Sequence, residues 1–277
     1  MTNFESETNE TIDSDIKKES KKKMTKLENE NGFIGHLTEL RKRLIYSFFF
    51  LILFFIGCYF FAENLYGFLV EPYAKAVKND TIQRRLIFTA LQETFLTYLK
   101  VSFFTAFFIT FPFILMQVWK FIAPGLYKHE KIAILPYLIL TPVLFLLGGM
   151  LVYYLVMPLA IKFFLSFESS GIVTNLPIQL EAKVNEYLSL VMKLIFAFGL
   201  SFQLPVVLSL LARVGVVDSK FLKERRKYVV VIIFAAAAIL TPPDPITQIC
   251  FAIPLLILYE LSIISVNIIE KKVNKNA

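Results

Sequence analysis

Six blocks of consecutive apolar residues, joined by polar connections, constrain this chain more than any other feature of its sequence. Most blocks are long enough to cross a bilayer as helices, and only helices and closed barrels satisfy every backbone hydrogen bond in lipid. The sequence lacks the alternating ten-residue segments typical of a barrel. Over the whole chain 56% of the residues are hydrophobic and 29 are phenylalanine, which exceeds the usual apolar content of a soluble fold. The sequence therefore predicts an all-α membrane protein with six transmembrane helices.

The ends of the apolar blocks give the expected bounds of the spans. The fifth and sixth spans are expected to be short: the fifth, YVVVIIFAAAAILT, reaches about 21 Å as a helix, against about 30 Å of hydrocarbon. Helices this short require a locally thinned bilayer or longer neighbours to pack against. The six predicted spans cover approximately residues 44–61, 95–121, 132–158, 187–212, 228–241 and 246–264.

The segments outside the spans suggest three regions. Residues 1–31 are rich in Lys, Glu, Asn and Ser and poor in large apolar residues, so we expect a disordered arm. Its acidic residues argue against a transit peptide. Residues 32–265 form the predicted membrane domain, which begins with a short interfacial helix in GFIGHLTELRKRL and includes a folded cap or surface helix in the loop at 62–92. Residues 266–277 form a predicted tail.

Basic residues are concentrated in the connections on one side of the predicted membrane. They include the runs at 17–26, 41–43 and 220–227, whereas the long loops on the other side contain fewer. Because cytoplasmic loops carry the excess of Lys and Arg, both termini are expected to be cytoplasmic. The missing targeting peptide favours a bacterial inner membrane. The net charge of +7 reflects this topology rather than nucleic-acid binding, because the bases flank apolar blocks and are not interleaved with aromatic residues.

Two acidic residues lie close to the predicted cytoplasmic boundary, each among bases: Glu39 in HLTELRKRL and Glu130 in LYKHEKI. One interpretation is a pair of local ion pairs, Glu39 with Arg43 and Glu130 with Lys128 or Lys131, each worth only about 0.2–0.5 kcal/mol. The other is a single anionic site for a cationic ligand, strengthened by partial dehydration at the membrane surface. Paired carboxylates would favour the planar donors of guanidinium over the point charge of ammonium.

Four motifs resemble those of the TatC family, the multispanning receptor of the twin-arginine protein translocase. They are HLTELRKRL, QVWKFIAPGLYKHEK, FGLSFQLPV and LTPPDPITQ, in the order and spacing of that family, and the resemblance covers residues 32–264. It implies a concave, cup-like bundle that binds the arginine pair of export signal peptides through Glu39 and Glu130, with support from Phe95 and Phe121. It also implies single-span TatA and TatB partners, self-association, twin-arginine precursors as cargo and the proton gradient as driving force.

The resemblance assigns a second set of residues to contacts with partner subunits. These are Gln203, where relatives often carry Glu, the turn residues Thr241, Asp244 and Gln248, and Pro72. The residues alone leave other roles open: a hydrogen bond between helices for Gln203, an Asx-type turn for Asp244, and ordinary packing for the proline and the two phenylalanines. An amide at position 203 cannot titrate, which argues against a proton-linked role there.

Other functional classes receive less support from the sequence. FGLSF lacks the closing Gly of a nucleophile elbow, HEKIA lacks the second His of the zinc motif, and Cys58 and Cys250 show no metal or redox spacing. We therefore expect no catalytic residue, no metal and no cofactor. A proton-coupled secondary transporter is the alternative, since kinked spans with buried polar groups suit it, but the two halves show no internal repeat.

Overall fold

The computed structural model describes residues 35, 38–78, 84–122, 128–169, 178–241 and 244–276 of the 277-residue chain. At 119–122, 128–135, 138 and 272–276 the description is of the backbone only. Nine α-helices occur within these ranges, and the only pairing of extended chain there consists of two isolated bridges, Ile87 with Lys183 and Ser169 with Ile178. The helices are α1 (Thr38–Phe60), α2 (Ala62–Val77), α3 (Glu93–Ile122), α4 (Lys128–Leu151), α5 (Met157–Leu165), α6 (Val184–Ser201), α7 (Leu204–Arg213), α8 (Ser219–Leu240) and α9 (Pro245–Asn276).

Five helical stretches in the described part of the chain are long and apolar enough to cross a membrane. The predicted fifth span lies in α8, whose first turns carry the basic run KFLKERRK, so that only its second half is apolar. This confirms a short fifth apolar segment. The sixth helix is longer than predicted, because α9 continues for 32 residues, past the end of the apolar block at about 264. The five stretches are Thr38–Phe60, Glu93–Val118, Ile139–Leu165, Val184–Arg213 and Pro245–Lys271.

The first span differs from the expectation of a separate interfacial helix. From Thr38 onward the polar segment and the span form one continuous helix, α1. Between Thr38 and Leu44 there is no glycine or proline, so nothing interrupts the hydrogen-bond ladder where a turn was expected. The acidic residue at position 39 is therefore held on the same rigid helix as the span.

Prolines explain two irregularities that the apolar blocks did not predict. The fourth span breaks between α6 and α7, because Pro205 has no N–H to donate to the carbonyl of Ser201. The third span continues to Leu165 through a π-helical turn, Val152–Val156, in which Met157 N–H donates to the carbonyl of Val152. Pro158 follows directly and has no N–H for the preceding turn, so the local widening replaces a regular α-turn.

Helices α4 and α6 approach each other closely, and this approach depends on glycine. A Cβ on Gly148 would lie 2.7 Å from the carbonyl oxygen of Phe198, and a Cβ on Gly199 would lie 2.5 Å from the ring of Phe145. The side chains of Phe145 and Phe198 are both fully buried. Small residues at such positions let two backbones approach closely, which compensates for the lack of a hydrophobic driving force between helices in lipid.

Helix α1 lies at the edge of the bundle and packs antiparallel on α3. Its aromatic side chains meet those of α3 through the stacked pair Phe50 and Phe113, with ring centroids 6.2 Å apart, and the edge-to-face pair Phe55 and Phe103 at 6.1 Å. The two ends of the bundle are named here by one residue each. The Glu39 end holds the described start of α1, the end of α3, the start of α4 and the α7–α8 connection. The Arg84 end holds α2 and residues 84–92, 165–169 and 178–183.

Candidate functional site

Glu39 lies near the described start of α1 and forms a local ion pair with Arg43. The Nε of Arg43 donates to Oε1 of Glu39 at 3.1 Å, and Nη2 donates to the same oxygen. The remaining terminal nitrogen, Nη1, donates to Oε1 of Gln117 on α3 at 3.2 Å. The first of the two sequence interpretations is therefore realised for Glu39, with the addition of a bond to α3 that no spacing in the sequence indicates.

The pairing with Arg43 leaves part of the Glu39 carboxylate accessible. The side chain is 37% exposed, against 21% for Arg43. Both bonds from Arg43 fall on the same oxygen, Oε1, so the second oxygen of Glu39 is not used by this guanidinium. An ion pair that retains this much solvent contact is weak and exchangeable.

The second predicted acid, Glu130, lies in the first turn of α4, and its side chain falls outside the described residues. The side chain of Phe121, in the last turn of α3, also falls outside them. Because Gln117 of α3 contacts Arg43 of α1, the end of α3, the start of α4 and the described start of α1 lie at the same end of the bundle. The backbone therefore brings both acids to the Glu39 end.

Phe95 lies at the other end of the bundle from these acids. It is in the first turn of α3, 22 positions before Gln117 in the same helix, which corresponds to about 33 Å along the axis. Its ring is 55% exposed. The residues predicted to bind a signal peptide thus do not form one cluster: Phe95 is separated from Glu39 by the length of a span.

Gln203 is buried where α6 ends and α7 begins, with 7% of its surface exposed. Its Nε2 donates to the backbone carbonyl of Thr141 on α4 at 2.9 Å. An amide inside a membrane bundle must find such a partner, and here it joins two spans. The structure thus realises the hydrogen bond between helices that the residues alone left open.

Around the turn between α8 and α9, the three residues predicted to contact partner subunits all form hydrogen bonds within the chain. Asp244 caps α9: its Oδ2 accepts the N–H of Thr247 at 2.7 Å, and its Oδ1 accepts the hydroxyl of the same residue. Thr241 donates to the carbonyl of Ala237 at 2.9 Å, and Gln248 donates to the carbonyl of Phe234 at 3.2 Å. Asp244 thus acts as a helix cap beside prolines, close to the Asx-type turn expected from its chemistry.

This turn lies partway along α6 rather than at the end of it. Lys193 Nζ of α6 donates to the carbonyl of Ile239 in the last turn of α8 at 2.9 Å. Lys193 is nine positions after the start of α6 at Val184, or about 14 Å along the axis. The last turn of α8 therefore lies beside the middle of α6, about 14 Å from the start of α6, as the short apolar half of α8 predicts.

Pro72 lacks a backbone N–H, and the carbonyl that this leaves free in α2 is bonded instead by a tyrosine of the third span. Pro72 lies inside α2 and has no N–H for the carbonyl of Phe68, four residues earlier. The hydroxyl of Tyr153, in the π-helical turn, donates to that carbonyl at 2.8 Å. The proline is itself buried, so its observed role in the described chain is packing of α2 on the bundle.

A further ion pair links the two long loops at the Arg84 end, and no pattern in the sequence predicts it. Both terminal nitrogens of Arg84 donate to the two carboxylate oxygens of Glu168, and the N–H of Leu180 donates to Oε1 at 2.7 Å. The side chains are only 9% and 17% exposed. The Arg84 guanidinium holds the pKa of the Glu168 carboxyl below its usual range, so the pair stays ionised.

Other polar candidates have ordinary partners. Glu260, an acid near the end of the sixth apolar block, lies 2.7 Å from Nη2 of Arg226 on α8. Within the described ranges, no group of three or more His, Cys, Asp and Glu side chains has the arrangement of a metal site. Cys58 and Cys250 are both free thiols.

Comparison with known proteins identifies the family. The family model described as TatC, Sec-independent protein translocase protein, matches residues 35–254. The chain belongs to the TatC family. A curated TatC from Magnetococcus marinus is 50% identical over 246 residues, covering 89% of this chain and 88% of the relative. The TatC of Escherichia coli K12 is 35% identical over 237 residues, covering 86% and 88%.

The fold agrees with this assignment. A crystal structure of the twin-arginine translocase receptor TatC in DDM aligns with a TM-score of 0.71 at 39% identity, over 83% of this chain and 98% of the other. The all-helical prediction is thereby confirmed, and TatC membership together with the apolar helices makes this a multi-pass membrane protein. TatC proteins are translocase components, which confirms that the chain is not an enzyme and gives no support to the secondary-transporter alternative.

Proposed function

We propose that this chain is the receptor for twin-arginine signal peptides and a core subunit of a translocase that exports folded proteins across an energised membrane. The observation that carries the proposal is the state of Glu39. Its carboxylate already binds a guanidinium, that of Arg43, and remains 37% exposed at one end of the bundle. A site that holds one guanidinium in this geometry has the chemistry to hold another.

The proposed binding step is an exchange of arginines. A signal arginine approaches the free oxygen of Glu39, and Arg43 retains its bond to Gln117 when the carboxylate turns towards the ligand. The second signal arginine is bound by Glu130, which lies at the same end of the bundle by the course of the backbone. Two carboxylates are required because a single exposed ion pair contributes little affinity.

The aromatic residues extend this proposal along the bundle. Phe121, in the last turn of α3, lies at the level where the arginine pair would bind. Phe95 lies 26 positions earlier in the same helix, about 39 Å along its axis, which is more than the thickness of the hydrocarbon, about 30 Å. Phe95 would therefore contact a different part of the peptide, the far end of an apolar segment that is long enough to cross the membrane.

Partner subunits, orientation and domain bounds complete the proposal. TatA-like and TatB-like single-span subunits would contact the α8–α9 hairpin around Thr241, Asp244 and Gln248, since the last turn of α8 lies beside the middle of α6 and leaves a place there for another helix. Gln203 and Pro72 would support these subunit contacts indirectly, through the helix packing that they stabilise. Copies of this chain would also associate with one another. Both termini would lie in the cytoplasm of a bacterial cell, with an arm at 1–31, a membrane domain at 32–265 and a tail at 266–277.

Crosslinking tests the receptor function directly. A peptide with a twin-arginine motif and a photoreactive group beside it is added to membranes containing the wild type, Glu39→Gln or Glu130→Gln. We expect strong crosslinking to the wild type and a large loss in both variants. Glu224→Gln is the matched control: Glu224 is an exposed acid of α8, so this variant removes one negative charge from an exposed helix and should crosslink normally. Normal crosslinking in both test variants would refute the proposed site.

A further inference from the structure

Two adjoining cavities form a groove near the Arg84 end, on the opposite half of the bundle from Glu39. The first, of about 320 Å³, opens between α2, the π-helical turn and α5, and is lined by Lys75 and Lys162 together with Pro72 and Pro158. The second, of about 250 Å³, continues between α2, α3 and α4 and is almost entirely apolar. Tyr153 and Tyr154 line both cavities. The groove therefore has a basic mouth and an apolar interior.

The π-helical turn gives this groove its shape. Tyr153 is buried and stacks on Phe68 of α2 with ring centroids 4.5 Å apart, whereas its neighbour Tyr154 is 68% exposed. The apolar cavity passes over Gly149, where a Cβ would lie 2.9 Å from the ring of Phe108. Both tyrosines thus line the place where the two cavities adjoin: Tyr153 is packed against α2, and Tyr154 stands at the opening.

The charges at the mouth leave a net positive potential. Lys75 lies 2.8 Å from Glu71, and the Tyr153 hydroxyl, whose single proton is shared between the Phe68 carbonyl and Glu71, lies 3.0 Å from Oε2 of Glu71. These bonds lower the pKa of the Glu71 carboxyl, which stays ionised and offsets the charge of Lys75. Lys162 is exposed and has no ion-pair partner in the described ranges. The charge of Lys162 is therefore available to an anion that enters the mouth.

The size and polarity of the groove select its occupant. An α-helix with its side chains is about 10 Å wide, and it would have to enter between α2 and α3, which are already packed against each other. A hydrocarbon chain is narrow enough to enter. Lysines beside tyrosines at the end of a span are typical of the level of lipid headgroups. Phosphate at the mouth and an acyl chain inside would match both halves of the groove.

We propose that this groove is a binding site for one anionic phospholipid of the surrounding bilayer. Its phosphate would lie against Lys162 and Lys75, and one acyl chain would fill the cavity between Phe104, Leu146 and Met150. The lipid would bridge α2 to the third span at the π-helical turn. This site lies on the opposite half of the bundle from Glu39 and does not depend on signal-peptide binding.

Lipid binding is measured by native mass spectrometry of the full-length protein released from detergent, titrated with phosphatidylglycerol or with phosphatidylcholine of the same chains. We expect tighter binding of phosphatidylglycerol to the wild type. Lys162→Gln should weaken it about fivefold, the effect of one lysine at a lipid surface, with phosphatidylcholine unchanged. Lys183→Gln, which removes a lysine at the same end but outside this groove, is the matched control and should bind like the wild type.

Two further experiments distinguish the contribution of the lipid headgroup to binding from that of the acyl chain. Met150→Trp fills the apolar cavity and should weaken both lipids to a similar extent, while glycerol phosphate without acyl chains should not compete with phosphatidylglycerol. If glycerol phosphate competes fully, the site binds free phosphate and the proposal is wrong. It is also wrong if Lys162→Gln and Lys183→Gln have equal effects on phosphatidylglycerol, because the charge at the mouth would then not matter.

Discussion

The close approach of α4 and α6 predicts a large difference between alanine substitutions at chemically identical residues. Gly148→Ala would place a methyl group 2.7 Å from the backbone carbonyl of Phe198, which cannot rotate away. Gly199→Ala would place one 2.5 Å from the ring of Phe145, which is fully buried and stacks on Phe111 at 4.2 Å. Overpacking of this kind costs about 1–3 kcal/mol.

Thermal unfolding of the purified protein in detergent, followed by loss of the monodisperse chromatographic peak after heating, measures this cost. For a chain of this size about 1 kcal/mol shifts the Tm by about 2–4 °C, so we expect a fall of about 2–12 °C for either variant. Gly57→Ala is the matched control, since a Cβ there meets nothing within 4 Å, and alanine is the better helix former. Its Tm should equal or exceed that of the wild type. A Tm for Gly148→Ala as high as that of Gly57→Ala would refute the packing argument.

Two further predictions concern polar contacts at the Arg84 end and in the α8–α9 turn. Asp244→Ala removes the cap that holds Thr247 and should cost about 1 kcal/mol, seen as a lower Tm, while Asp244→Asn keeps an acceptor and should cost less; equal losses would contradict capping. Arg84→Gln leaves Glu168 as a poorly solvated charge and should cost about 3 kcal/mol. Because the folded pKa of Glu168 is lowered, the pair stabilises the protein above the ordinary Glu pKa of about 4.3 and loses this contribution as the pH falls through the folded value. The Tm of the wild type should therefore drop more steeply below about pH 4.3 than that of Arg84→Gln, and parallel curves would contradict the shift.

Apolar length was enough to predict the spans, but not the break before Pro205 or the π-helical turn before Pro158. The division of α8 into a basic first part and a short apolar second part follows from the sequence. The sequence also correctly predicts that a buried Gln203 needs a hydrogen-bond partner. These features are local, because they depend on residues within one or two turns. The continuity of α1 was missed, since a basic segment before a span fits an interfacial helix as well as a helix extension.

The parts that could not be predicted depend on contacts between distant segments. Arg84 and Glu168 are 84 positions apart in two polar loops, and nothing in their spacing indicates a bidentate pair. The bond from Tyr153 to the carbonyl left free by Pro72 requires knowledge of how α2 packs on the third span. For the candidate site, sequence placed the two acids at one end of the bundle, but the resemblance grouped Phe95 with them, and the length of α3 separates it.

The most direct test of the account is the selectivity of the acidic site for guanidinium over ammonium. Dissociation constants are measured for two signal peptides that differ only in an Arg-Arg or a Lys-Lys pair, with the wild type and with the double variant Glu39→Gln, Glu130→Gln. We predict that the wild type prefers Arg-Arg by about tenfold or more, equivalent to about 1.4 kcal/mol, the value of one charge-assisted hydrogen bond, and that the double variant loses this preference. An unchanged preference for Arg-Arg in the double variant would show that these carboxylates do not read the arginine pair.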